Sequence, residues 1–188
     1  MPAAYKETAG WKQAEPRDHE LKGEWWQLYG DPVLNALEAE VSVSVYLRNE
    51  AGRRGVPLKR SFVGWIDAIP QLRKRRAEVN ILVVDAREGR RYNRQFRNKD
   101  YATNVLSFPY ESLPGEKTAL LGDLVICAPV VSSEAGEHGK RVRDHYAHLT
   151  IHGVLHLLGY DHQVEAEAER MEALERRVLA GIGIADPY

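Results

Sequence analysis

Three of the seven histidines in this sequence, His152, His156 and His162, fall within eleven consecutive residues. A neutral imidazole is a strong ligand for a divalent transition-metal ion. His152 and His156 are four residues apart, so on a helix their side chains stack on one face within reach of a single ion. Gly159 follows the apolar pair Leu157-Leu158, where a left-handed residue ends a helix and turns the chain. That turn brings His162 back towards the first two. Three neutral imidazoles plus a water make an open tetrahedral zinc site, the catalytic arrangement and not the closed structural one. One zinc ion is therefore the expected cofactor, although sites of three histidines also suit nickel or copper.

The order of two histidines, a glycine and a last histidine is the one used by metzincin-type zinc sites, where the glycine lets the third ligand close the triad. One departure decides the reaction class. Zinc peptidases of the His-Glu-x-x-His kind place their general base directly after the first histidine, and here that position is Gly153. Lewis-acid polarisation and an acidified water remain, a combination suited to a phosphodiester if cations offset the charge on phosphorus. Asp161 either orients a ligand imidazole from behind or forms the turn. His145 and His148 fall on the same helical stripe as His152 and His156, as further ligands, as groups behind the ligands, or as a polar face.

The cations are present. Arg87, Arg90, Arg91, Arg94 and Arg97 recur every three or four residues, Lys99 follows, and Tyr92, Phe96 and Tyr101 are interleaved. From Ser42 to Asp100 there are fifteen Lys and Arg against six Asp and Glu, in a chain whose net charge is -1. A single basic helix is usually a solvated face, but a hydrolytic metal nearby shifts the expectation towards a polyanion. Arg94 and Lys99 are candidate polyanion contacts on this ground.

These residues need a scaffold. Val43, Val45 and Leu47 alternate with polar neighbours, which predicts a first strand. Ser61 is placed to cap a helix carrying Phe62, Trp65, Ile66 and Ile69. Val79 to Val84 is an apolar run that reads as a buried strand, followed by the basic helix from Ala86 to about Phe96. Asn104 to Phe108 reads as a short strand that Pro109 stops, and Leu120 to Cys127 forms another. Pro129 opens a helix closing near Gly139, and a longer helix from about Arg143 to Leu158 carries the histidines. A last helix from Glu165 to about Ala180 turns Ala168, Met171, Leu174 and Val178 inwards. The lone cysteine, Cys127, excludes an internal disulfide and reads as a buried strand residue.

With 188 residues, 44% of them hydrophobic and 28% charged, the composition is that of a globular protein with one main domain. No apolar run reaches the roughly 18 residues of a membrane span, and no secretory pattern opens the chain; the expected location is the cytoplasm. Residues 1–41 read as an appended segment, partly disordered or forming a short helix from Pro32 to about Val41 behind an Asp31 cap. The stretch from Trp25-Trp26-Gln-Leu-Tyr-Gly-Asp-Pro onwards resembles the N-terminal segment of outer-membrane efflux channel subunits, whose long helical barrel is missing here.

Residues 42–188 resemble the YbeY family of bacterial endoribonucleases. Three segments carry the resemblance: Phe96-Arg97-Asn98-Lys99-Asp100-Tyr101-Ala102-Thr103-Asn104-Val105-Leu106-Ser107-Phe108-Pro109, then Leu121-Gly122-Asp123-Leu124-Val125-Ile126, and the His152 to His162 motif. The family's metal ligands match His152, His156 and His162, and its essential arginine matches Arg97. Asn98 stands where the family usually has glycine, and asparagine tolerates left-handed backbone better than most residues. Asp123 either helps shape the cleft or serves a turn. The resemblance implies an α/β fold with a mixed four-stranded sheet covered by five or six helices. It also implies cleavage of single-stranded RNA, maturation of the 3′ end of small-subunit ribosomal RNA, and ribosome quality control. Ribosomal RNA and the small ribosomal subunit are then the expected partners. The alternative is a ribosome-assembly or RNA-binding factor whose zinc only fixes the fold.

Overall fold

The computed structural model describes residues 43–52, 55–73, 76–111, 119–161 and 164–188. The segment 1–41, where a short helix is expected, and His162 lie outside the described residues.

Four strands form one mixed sheet in the order β1-β2-β4-β3: β1 (Val43–Asn49), β2 (Ala77–Val84), β3 (Val105–Pro109) and β4 (Leu120–Cys127). β1, β2 and β4 run parallel, and β3 lies antiparallel against β4. Side chains alternate across a strand, so Val79, Ile81 and Val83 of β2 and Leu124 and Ile126 of β4 are buried on one face. That face packs on α1 (Lys59–Asp67) and α4 (Val142–Leu157), α5 (Glu165–Gly181) packs on α4, and together they form the main core. On the opposite face α2 (Ala86–Arg97) covers a smaller cluster of Val84, Leu106, Val125 and Cys127. A helix α3 (Ala128–Glu137) links β4 to α4, with Pro129 in its first turn. The expected mixed four-stranded sheet is what the chain forms, with five α-helices and a short 3-10 turn at Pro70–Leu72 among the described residues.

Two local expectations change. Ser61 does not cap α1, which begins two residues earlier at Lys59 behind Leu58, with no side-chain cap. Pro109 does not stop β3 from outside but is its last residue, on the edge strand of the sheet, where proline's missing donor is tolerated. Cys127 is buried as expected, its thiol pushed up by burial and directed at the Asp85 carbonyl, 3.5 Å away.

The central element is α4, which meets β3, β4, α1, α3 and α5. A helix contacted on so many sides is buried nearly all round, and ten of its residues are buried, among them Tyr146, Leu149, Ile151, Val154 and Leu155. Burying one such aliphatic side chain contributes about 1.5–3 kcal/mol. Whatever α4 carries is therefore held on a rigid support.

Candidate metal centre

The histidine helix ends as its sequence predicts. Gly159 has φ +89°, the Gly159 amide donates to the His156 carbonyl at 3.0 Å and the Tyr160 amide to the Leu155 carbonyl at 3.0 Å. This is the paired closure of a left-handed helix end. The turn is tied from outside, because Gln71 Nε2 donates to the Tyr160 hydroxyl at 2.8 Å. Turned back in this way, the Tyr160 carbonyl accepts from His156 Nδ1 at 3.0 Å. The glycine thus ends the helix and also supplies a fixed acceptor to one of the imidazoles.

His152 is oriented by a different element. Its Nδ1 lies 2.8 Å from Glu175 Oε1 of α5, and Glu175 is 0% exposed. Burial opposes the charge on Glu175, but hydrogen bonds from His148 and His152 outweigh it and hold the carboxyl at about 2. Glu175 is therefore an ionised acceptor. It holds His152 through Nδ1, as the Tyr160 carbonyl does His156, which leaves the two Nε2 atoms as the nitrogens that would ligate an ion. Those two Nε2 atoms lie 3.2 Å apart. Two ligands bound at about 2.0–2.1 Å in tetrahedral geometry would be roughly 3.3–3.4 Å apart. The pair fits one ion, with an acceptor behind each ring as metal-binding histidines have.

A second grouping shares one of these residues. His148, His152 and Glu175 bring ligand atoms within 4.8 Å of one another. That set would use His152 Nδ1 and the Glu175 carboxylate, which are already joined through a proton. It would also place the ion on a fully buried carboxylate that takes a further bond from the Tyr188 hydroxyl.

His145 is neither a ligand nor part of a polar surface. It is 6% exposed, and Nε2 meets Glu134 Oε2 at 2.7 Å. Glu134 also accepts from Asn104 Nδ2, so this imidazole braces α4 against α3 and the start of β3. Burial lowers its pKa, against the pull of Glu134. His148 is half-buried with Nε2 3.3 Å from Glu175 Oε2, which places it behind His152.

The His152 and His156 imidazoles open into a cleft of ≈ 670 Å³ lined also by Arg97, Asn104, Ser107, His148, Asp161 and Tyr188. A space of this size admits a nucleotide-sized ligand. Arg97 is the last residue of α2, a helix capped at its start by the Asp85 side chain, which accepts from the Glu88 amide at 2.8 Å. Asn98 follows with φ 56°, the one non-glycine residue with positive φ among those described. The left-handed geometry expected at Asn98 is thus adopted. Buried Asn93 donates to the Tyr101 carbonyl at 2.7 Å and secures the loop beyond. Arg97 lines the histidine cleft with no ion-pair partner among the described residues, and it is the one permanent cation there.

The other basic residues face elsewhere. Arg94 lines a separate groove with Arg87, Arg90 and Arg91, and Lys99 is exposed and lines neither space. Two of these charges are already met, since Arg90 makes a two-pronged pair with Asp100 at 2.9 and 2.6 Å, and Arg91 pairs with Glu88 at 2.8 Å. Asp123 does not shape the cleft. It is exposed on β4, accepts from Asn80 Nδ2 at 2.7 Å, and lines a groove with Tyr46 and Phe108.

At Gly153 a Cβ would lie 2.8 Å from Leu124 Cδ2 and 3.2 Å from Ser107 Oγ. The position where a peptidase carries its base points into the sheet and has no room for glutamate.

Two residues of the site carry no motif. Glu175 sits four residues after Met171 and one after Leu174, on the buried stripe of α5, so an acid at an inward position is the signal that marks it. Tyr188 stands outside any periodic pattern.

Paired imidazoles that could hold a metal ion and an arginine in one open cleft, on a mixed α/β sheet, suit a hydrolase of anionic substrates. The sequence matches the model of the family described as Endoribonuclease YbeY over residues 47–183, and the chain belongs to that family of RNA-cleaving hydrolases. An Endoribonuclease YbeY of Stenotrophomonas maltophilia is 57% identical over 152 residues, covering 79% of this chain and 94% of that protein. Another, of Alkalilimnicola ehrlichii, is 54% identical over 157 residues, covering 81% and 92%. The solution structure of TM1509 from Thermotoga maritima shares the fold at TM-score 0.50 and 24% identity, over 77% of this chain and 97% of that one. No helix among the described residues is long and apolar enough to cross a membrane.

Proposed function

We propose that this endoribonuclease holds one zinc ion on His152, His156 and His162 and uses Arg97 to bind the scissile phosphate of single-stranded ribosomal RNA. The observation that carries the reading is the facing pair of Nε2 atoms, 3.2 Å apart, in the cleft that Arg97 also lines. His162 joins them from the sequence motif, three residues after Gly159. When bound, the ion supplies Lewis acidity and a water acidified enough to attack near neutral pH. The protein does the rest. Glu175 and the Tyr160 carbonyl hold both imidazoles in their ligating orientation. The Arg97 guanidinium grips phosphate oxygens and offsets the charge that grows on them as the phosphodiester is attacked.

The natural substrate on this reading is the 3′ end of small-subunit ribosomal RNA, met in the cytoplasm on the small ribosomal subunit, with a role in ribosome quality control. Arg94 and Lys99 contribute sequence-independent attraction for the same RNA. Residues 42–188 carry the activity, and a chain lacking residues 1–41 is expected to cleave as well as the full chain.

The test is incubation of the full chain with single-stranded ribosomal RNA, with and without a chelator, beside Arg97→Ala. Cleavage lost on chelation and strongly reduced in the variant supports the reading. Equal cleavage in all three samples overturns it, and RNA binding without cleavage would favour an assembly factor whose zinc is structural.

A further inference from the structure

Tyr188 touches the site at more points than any motif explains. Its hydroxyl donates to Glu175, the carboxylate that receives His152 Nδ1. Its ring stands edge-on to His148 at 5.6 Å and 78°, and the Arg176 guanidinium lies over it, 4.8 Å from the centroid. The segment that carries it is fastened twice more. Lys140 Nζ donates to the Pro187 carbonyl, and Arg176 Nε pairs with Asp186 at 3.4 Å. Yet the residue is 58% exposed and lines the cleft with Arg97, His152 and His156. An exposed tyrosine with its hydroxyl on a fully buried carboxylate reaches inwards from the cleft wall.

Glu175 receives three donors, from His148, His152 and Tyr188. Removing the tyrosine hydroxyl leaves the carboxylate free to turn towards His148 or to admit water from the cleft. Either change loosens the bond that aims His152. Burial and the neighbouring Glu175 push the Tyr188 phenol above its usual value, so it stays a donor throughout the working pH range.

We infer that Tyr188 is a positioning residue of the metal centre: through Glu175 it holds the His152 imidazole in its ligating orientation and seals that side of the cleft from water. The inference rests on the reading that His152 and His156 hold the ion. Loss of groups behind a metal ligand typically lowers affinity about 10–100-fold, and Tyr188 stands one step further back. About a tenfold loss is expected of Tyr188→Phe, which keeps the ring, and at least as much of Tyr188→Leu.

The experiment uses the full chain and zinc itself. Zinc affinity is measured by competition with a chromogenic chelator for wild type, Tyr188→Phe, Tyr188→Leu and His156→Ala, and thermal unfolding is followed with excess zinc and with excess chelator. The inference predicts weakened zinc binding in Tyr188→Phe. Its unfolding temperature should stay near wild type in chelator, while the rise on adding zinc at a fixed low excess shrinks. Wild-type zinc affinity in Tyr188→Phe overturns it. So does an equal fall in unfolding temperature with and without zinc, which would mean that the tyrosine only supports the fold. If Tyr188→Leu does not fold, Tyr188→Phe decides alone. If His156→Ala also keeps its zinc, the ligand assignment has failed, and the inference falls with it.

Discussion

Along one stripe of α4, His145 and the pair His152 and His156 begin as the same residue type, and they end in different chemistry. His145 is buried, gives Nε2 to Glu134 and braces three elements. His152 and His156 give Nδ1 to acceptors behind them and turn Nε2 towards an open cleft. The difference lies in which ring nitrogen is taken and in what the other one faces. An imidazole whose near nitrogen is held by a fixed acceptor and whose far nitrogen meets solvent is ready for an ion. One sealed among packed side chains can only be a neutral brace.

The contrast should break most sharply under substitution. His156→Ala is expected to abolish stoichiometric metal binding and reduce RNA cleavage more than about 100-fold, beyond the range seen for groups behind a ligand; elemental analysis and a cleavage assay check it. His145→Gln should keep its metal and its activity. Arg97→Ala comes next. It should lower cleavage about 10²–10³-fold, as loss of one donor to a developing charge does, with metal content unchanged. Glu175→Gln should weaken zinc about 10–100-fold in the chelator competition, because an amide accepts less strongly from His152. Arg94→Ala, on the outer groove, should cost less than about tenfold in RNA affinity and reduce the salt slope by about one, leaving the rate at saturation unchanged.

The smallest effect concerns pH. Burial lowers the pKa of His145 in the folded protein, with Glu134 pulling the other way and His148 and Lys140 adding to the lowering. The unfolded chain therefore binds that proton more readily. Stability from this group is present above the ordinary histidine value of about 6.5 and falls as pH drops through it. Denaturant midpoints between about pH 7.5 and 5.5 should decline less steeply in His145→Gln than in wild type.

Much of the site was legible because local rules govern it. The spacing of His152 and His156 and the left-handed Gly159 follow from helix geometry, and the left-handed Asn98 from the glycine that the resembled family usually has there. The sheet was legible for a similar reason, since apolar runs such as Val79 to Val84 have few other uses. What sequence spacing did not reveal comes from long-range contact. Glu175 reaches His152 across 23 residues, and nothing in α5 names its target. The separation of Arg97 from Arg94 was equally hidden, because it depends on how the end of α2 sits against the cleft. Gly153 was read as a missing base, and the tight approach of Leu124 and Ser107 explains why no base could stand there.

The most direct test of the central claim is the zinc content of three purified proteins: wild type, His156→Ala and His148→Ala. An ion held by the facing Nε2 atoms, with His162, predicts about one zinc per chain in wild type and in His148→Ala, and almost none in His156→Ala. Zinc retained in His156→Ala and lost in His148→Ala would place the ion on His148, His152 and Glu175 and contradict the account.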